Sequence, residues 1–480
     1  MKRTGSVLLL VLAITSTTQI VAQNISLFQT DFSWQEFKDR RNKIFSVIGP
    51  EAMAVIQSGA TGRGFEVFRQ NNDFYYLCGL ETETSYLLLD GRNKTTTLFL
   101  THRDADRESG EGKSLSAEDA ALIISTTGID AVLPLEQLSK QLAGSIIRRP
   151  FPTLYSIMSP GEGRTTSRDE IMYGLARAIS NPWEEASTRE AQFVQLIQQR
   201  FPQYELKDLS PTLDDMRLIK SPAEINLIRR ASQIAGLGLI EAMKSTEPGL
   251  YEYQLAAAAR YIFLLNGCRY EGYDPIVGGG TNAWYGHYFH NNAELKSGDM
   301  VLMDYAPDYH YYTSDVTRMW PVNGKFTTGQ KELYGFIIEY YKELVKRIRP
   351  GVSYNTITDE TIEALKPILA RTKFSKEIYR KAAEGALTFR HPLSHPVGMA
   401  VHDVGNYKNM IIKPGTVFSV DPMIWVPEEK LYVRIEDVGV VTETGFENFS
   451  AFVPFEIDEI EKLMKETGVL QKVPATSVLK

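Results

Sequence analysis

Asp304 closes the apolar run Met300-Val301-Leu302-Met303, and Asp315 lies in the stretch Tyr311 to Trp320, beyond the turn signal Pro307-Asp308. Strand-like residues on both sides of such a turn predict a hairpin that sets the two acids across neighbouring strands. Asp421 and Glu436 repeat the pattern. Val417-Phe418-Ser419-Val420 leads into the first, Tyr432-Val433-Arg434-Ile435 into the second, and Pro427-Glu428-Glu429-Lys430 is the intervening turn. Acids facing each other across strands repel unless a cation lies between them. One acid at a strand end usually serves a turn; four at matched positions point to a metal.

Between the pairs lie His391-Pro392-Leu393-Ser394-His395 and His402-Asp403. Two histidines four apart would suit a zinc-binding helix, but Pro392 and Pro396 forbid a regular helix and no Glu follows His391. These three histidines therefore belong on loops. With His287 and His290 they make five of the seven in the chain, and their clustering beside paired acids favours metal chemistry. No Gly-x-Ser-x-Gly elbow or reactive-cysteine setting offers a competing centre.

At these residues the sequence resembles the pita-bread metallopeptidases, most closely the aminopeptidase P and prolidase branch. The resemblance rests on Gly298 to Asp304, Ser314-Asp315-Val316-Thr317-Arg318, His395 with His402-Asp403-Val404-Gly405, and Arg434-Ile435-Glu436-Asp437. Phe68 to Leu77 is similar to the signature of the aminopeptidase P amino-terminal domain. The resemblance implies an α/β chain with a creatinase/aminopeptidase P-type amino-terminal domain followed by a pita-bread catalytic domain. It also implies that Asp304 holds one metal, Asp315 and Glu436 bridge two, and His395 with Asp421 completes the second. His287 would stand near the leaving group, His402 beside the tetrahedral intermediate and His391 on the substrate side.

Four carboxylates balance two divalent cations, and a site rich in oxygen with one imidazole suits Mn²⁺, with Zn²⁺ or Co²⁺ as alternatives. Two such ions lower the pKa of a shared water and polarise a scissile carbonyl, which is what peptide hydrolysis needs. The expected substrate is a peptide with proline in second position, cut after its first residue. An Xaa-Pro bond lacks the N–H of other peptide bonds, so ring shape and the free amino terminus must carry recognition. One departure matters: Asp421 stands where the family has a proton-shuttling Glu, within Val420-Asp421-Pro422-Met423, and Met423 replaces the usual glycine. Trp425 also replaces an expected tyrosine. The alternatives are a prolidase, cleaving Xaa-Pro dipeptides, or a weakly active or inactive peptide-binding relative. A metal-free relative resembling creatinase is disfavoured, because those enzymes lack these acids.

The elements that must position these residues fall in two halves. From about Asn24 to Lys207, short runs such as Ser85 to Leu89 and Thr97 to Leu100 alternate with polar helical stretches such as Ser116 to Ser125. Ser221-Pro222-Ala223-Glu224 is a capping box with proline at the first helical position. Ile225, Ile228, Ala231, Ala235, Leu239 and Ala242 then form one apolar stripe. Pro248-Gly249 and Pro350-Gly351 each separate two helical stretches, the second running Tyr253 to Leu265 and Thr356 to Leu369, an echo that suggests two related α/β halves. The expected domains are residues 24–207 and 208–465, with a tail over 466–480.

Lys2 and Arg3, the apolar run Val7 to Ile14 and the small residue Ala22 read as a signal peptide over residues 1–22. That run is about half the ~20 residues a spanning helix needs, so export to a periplasmic or secreted location without stable membrane insertion is expected. The chain has 480 residues and 43% apolar side chains, enough for a large core, and a formal charge of −7 without blocks of like charge, so no nucleic-acid partner is expected. Only two cysteines, Cys78 and Cys268, exclude a disulfide scaffold and an iron–sulfur cluster; their pairing is not readable. The family often forms homodimers or larger assemblies, which is the expectation here.

Overall fold

The computed structural model describes residues 27–60, 67–149, 152–184, 186–406 and 410–473. The signal segment and the end of the tail lie outside them. In the first half, β1 (Ala52–Gln57), β2 (Tyr86–Asp90), β3 (Thr95–Leu100), β4 (Ala131–Pro134), β5 (Thr153–Ser156) and β6 (Glu205–Asp208) form one sheet of order β4-β3-β2-β1-β5-β6. Both faces are covered. Ala54 and Ile56 pack on one side of β1, Met53 and Val55 on the other, which is why this strand is an unbroken apolar run instead of an alternating one.

The second half opens with a helix over Pro222–Ser245, capped reciprocally by Ser221 and Glu224, followed by a helix over Glu252–Leu265. Strands β7 (Tyr270–Glu271), β8 (Ile276–Gly279), β9 (Met300–Asp304), β10 (Pro307–Asp308) and β11 (Thr317–Pro321) come next. A second helix pair, Thr328–Val345 and Tyr354–Arg371, leads to β12 (Leu393–Pro396), β13 (Val417–Val420), β14 (Met423–Val426), β15 (Leu431–Arg434), β16 (Asp437–Val441) and β17 (Phe446–Asn448). Each helix pair turns through its Pro-Gly step at a glycine of positive φ, Gly249 at +93° and Gly351 at +84°, a conformation that a side chain would strain. The echo in the sequence thus marks two helix-pair-then-sheet units. Their shared core includes Leu239, Val301, Trp320, Ile337, Phe418 and Ile424.

The sheets bear on the site directly. One has order β11-β9-β8, another β12-β13-β16-β17, and β14 pairs with β15. The returning strand of the first hairpin is shorter than the run Tyr311 to Trp320 suggests. Residues ahead of it are taken up by the other half: Tyr311 stacks on Tyr75 with centroids 3.5 Å apart, and Asp308 pairs with Arg69 at 2.8 Å. The second hairpin is interrupted. Val420 faces Asp437 and Met423 faces Arg434 in one continuous register, yet β13 joins the sheet with β16 while β14 and β15 leave it. Asp421 and Glu436 lie in that break, opposite one another. Cys78 and Cys268 are both buried free thiols. Among the described residues no helix is long and apolar enough to cross a membrane.

Candidate metal centre

Asp304 is the last residue of β9 and stands opposite Thr317 of β11 and Ile276 of β8. Asp315 precedes β11 by two residues, so it meets Asp304 diagonally instead of directly across the ladder. Tyr273 closes the gap, its hydroxyl lying 2.5 Å from Asp304 Oδ1 and 3.0 Å from Asp315 Oδ1. Nothing in the sequence pattern marked this tyrosine, which sits just before β8. Glu436 reaches the same space because Thr317 and Glu436 exchange backbone hydrogen bonds of 3.1 and 3.2 Å, and Thr317 Oγ1 donates to Glu436 Oε2 at 3.0 Å. Its neighbour Asp437 points the other way, to Arg318 at 2.8 Å.

His395 comes from β12, where the register against β13 shifts between Leu393 and Pro396. That irregularity turns the ring inward. Its Nδ1 is 3.1 Å from the Pro396 carbonyl, to which it donates, leaving the Nε2 lone pair directed at Asp315 Oδ2, 3.2 Å away. One donor atom each from Asp315, His395 and Glu436 lies within 4.8 Å of the others. Asp421 flanks them, its backbone N–H bonded to the Pro392 carbonyl at 2.7 Å and its Oδ2 3.5 Å from Arg434 Nη1. Arg434 also contacts Asp304 and lies 3.3 Å from Glu436 Oε2.

The electrostatics suit a cation. Burial, then Glu436 and Asp304, push the Asp315 carboxyl well above the usual carboxylate range. Burial and then Asp421 do the same to Glu436. Burial, with His402 adding, holds His395 well below the ordinary histidine range, which keeps its ring neutral and able to donate a lone pair. Asp421 Oδ1 is buried without a hydrogen-bond partner, a costly state for a carboxylate oxygen unless a cation takes it up. Crowded acids, a neutral imidazole and an orphaned oxygen fit divalent ions with oxygen-rich shells.

The other histidines divide. His402 packs against His395 with ring centroids 4.2 Å apart, and His287 is 6.4 Å from His402, so three rings converge. His391 is exposed and meets the edge of Phe389 at 6.0 Å. Phe389 in turn meets Trp425, which stacks on Tyr432, so His391 stands at an aromatic wall. Asp403, adjacent to His402, turns away to Arg217 and Lys220.

Residues 226–443 match metallopeptidase family M24, and residues 37–155 match the aminopeptidase P amino-terminal domain. The Xaa-Pro aminopeptidase of Escherichia coli is 32% identical over 456 residues, an alignment covering 91% of this chain and 98% of that one. The chain belongs to metallopeptidase family M24, in its aminopeptidase P branch. Among solved structures of that branch, proline aminopeptidase P II from Yersinia pestis superimposes with a TM-score of 0.72 at 30% identity, covering 90% of this chain and all of that one. Aminopeptidase P from E. coli with the inhibitor Pro-Leu gives 0.72 at 30%, covering 91% and 99%. The amino-terminal aminopeptidase P domain followed by an M24 catalytic domain is the architecture described above, and membership makes the chain a metal-dependent aminopeptidase.

Proposed function

We propose that the protein removes the first residue from peptides whose second residue is proline, using two divalent ions, most readily Mn²⁺, held by Asp304, Asp315, His395, Asp421 and Glu436. The convergence of Asp315, His395 and Glu436 within 4.8 Å carries this reading, and the E. coli relative named for Xaa-Pro cleavage supports its substrate class. The ions supply Lewis acidity and an activated water. The chain's own residues supply the rest. Tyr273 and Thr317 hold three carboxylates in place by hydrogen bonds. His287 and His402 stand beside the cluster to move a proton or bear charge on the peptide. The apolar wall of Phe389 and Trp425 suits a pyrrolidine ring, which offers no N–H to bind. We also propose that residues 1–22 direct export, that the mature protein acts in the periplasm or outside the cell, and that it assembles as a homodimer or larger oligomer.

The test is metal content per chain together with hydrolysis of an Xaa-Pro dipeptide, a longer Xaa-Pro peptide and an Xaa-Ala control. Cleavage of the longer Xaa-Pro peptide that stops on chelation and in Glu436→Ala is expected. Cleavage confined to the dipeptide would make the protein a prolidase. Activity surviving exhaustive chelation would move the chemistry elsewhere.

A further inference from the structure

His402 is anchored from outside the catalytic half. The helix Arg168–Ile179 begins at Ser167, and Glu170 closes its first turn by accepting from the Ser167 N–H at 2.8 Å. Ser167 Oγ accepts from the backbone N–H of His402 at 3.1 Å, and Asp169 Oδ2 lies 2.7 Å from His402 Nδ1. Between them, Arg168 is buried and pinned to Asp73 at 3.1 Å and Asp214 at 2.6 Å. One turn of chain therefore grips the backbone and the ring of His402 while its middle residue is fixed in the opposite direction. This turn falls in neither matched region, which cover 37–155 and 226–443.

We infer that Asp169 is a positioning residue for His402, accepting its Nδ1–H and so presenting Nε2 to the space shared with His395 and His287. In a neutral imidazole one nitrogen donates and the other accepts, and the partner of one decides the state of the other. With Asp169 on Nδ1, Nε2 is the nitrogen left to face the substrate, where its lone pair can take a proton and, once protonated, donate to a peptide oxygen. His395 obeys the same logic with a backbone carbonyl in the role of Asp169. The two neighbouring rings thus have fixed and matching tautomers, one serving a cation and the other the substrate. Asp169 is mostly exposed, with 61% of its side chain accessible, so its replacement opens no cavity in the core. The inference rests on the proposed role of His402 on the peptide.

The experiment uses the full-length protein and two readouts. The first is kcat and KM on an Xaa-Pro tripeptide for wild type, Asp169→Ala, Asp169→Asn, His402→Ala and the Asp169→Ala, His402→Ala double variant, each with its metal content measured. Asp169→Ala should lower kcat by about 10²-fold, the scale of loss for a misplaced group, with KM and metal content unchanged. Asp169→Asn, which keeps an accepting oxygen, should recover most of it. The double variant should be no slower than His402→Ala. The second readout is independent of turnover: nitrogen NMR of metal-free protein labelled at its seven histidines, with His402 assigned by its loss in His402→Ala. The Nδ1–H tautomer in wild type and Asn, and a mixture in Ala, is expected. An unchanged His402 tautomer in Asp169→Ala, or additive losses in the double variant, overturns the inference. Inactive wild type with an Asp169-dependent tautomer would instead defeat the proposed reaction and uphold the contact.

Discussion

Arg217 Nη1 lies 2.8 Å from Asp73 Oδ1, joining residues 144 positions apart. The same guanidinium reaches Glu162 at 2.7 Å and Asp403 at 2.5 Å, and Lys220 meets Asp403 at 2.9 Å. All are buried. The network ties the first half, through Asp73, to the loop that carries His402. Burial alone would raise the Asp403 carboxyl, but Arg217 and Lys220 outweigh it and hold it below the usual range.

Arg217→Met should therefore leave the buried Glu162 without its ion-pair partner, and Asp73 and Asp403 with only Arg168 and Lys220. A loss of about 3–5 kcal/mol, the cost of breaking a buried pair from one side, is expected in denaturant unfolding. A change below about 0.5 kcal/mol, the scale of surface substitutions, would show that these charges are not desolvated.

His287→Ala and His402→Ala should keep the full metal content and lose turnover, the deficit falling on kcat by about 10²-fold or more. Metal analysis beside steady-state kinetics decides this. Loss of metal from either variant would make that histidine a ligand and remove it from the substrate side.

Asp421 is shorter than the family glutamate by one methylene, about 1.5 Å of reach. Asp421→Ala should deplete the metal position served by His395 more than the one served by Asp304. Asp421→Glu tests whether the strand break has moved inward: if it has, the longer side chain overfills the site and lowers metal occupancy and rate together. A rise in both would mean that the backbone keeps the spacing for glutamate.

Burial pushes the Asp421 carboxyl up to about 6, with Arg434 opposing the rise and Asp304 adding to it. A cation needs the ionised form, so Mn²⁺ affinity should fall as pH is lowered from 7 to 5. The sign for the chelated protein is opposite. A folded pKa above the unfolded one means the folded state binds the proton more tightly, so this group's stabilising effect is complete below the ordinary Asp value and lost as pH rises through about 6. Calorimetric Mn²⁺ titrations and thermal unfolding after chelation, each at pH 5, 6 and 7, check both signs. Affinity that stays flat across the series would place Asp421 outside the metal shell.

The acids and His395 stand out because each sits at the end of a local pattern: an apolar run, a turn signal, a proline-bracketed stretch. The capping box at Ser221 and the Pro-Gly steps were legible for the same reason. The prolines suggest a loop for His395, but Leu393–Pro396 pairs with β13 as a short irregular strand, since Leu393 and Pro396 supply its ladder contacts. Tyr273, Arg434, Ser167 and Asp169 carry no such local signal, since their contacts are made across distance; Asp169 meets a histidine 233 positions away and no neighbour in sequence announces it. The interruption of the second hairpin was also hidden. Val417 to Val420 and Met423 to Val426 read as one run of strand formers, and a change of partner sheet leaves propensity unaltered.

The seam at Thr317 and Glu436 has a consequence for the donor cluster. These residues belong to separate ladders, and the donors Asp315, His395 and Glu436 arrive from three stretches of chain on either side. Sliding one ladder past the other by a single residue, about 3.3 Å, would carry the donors out of mutual reach. The cluster therefore exists only when both ladders are in alignment, and a chain in which either is displaced by one residue lacks it.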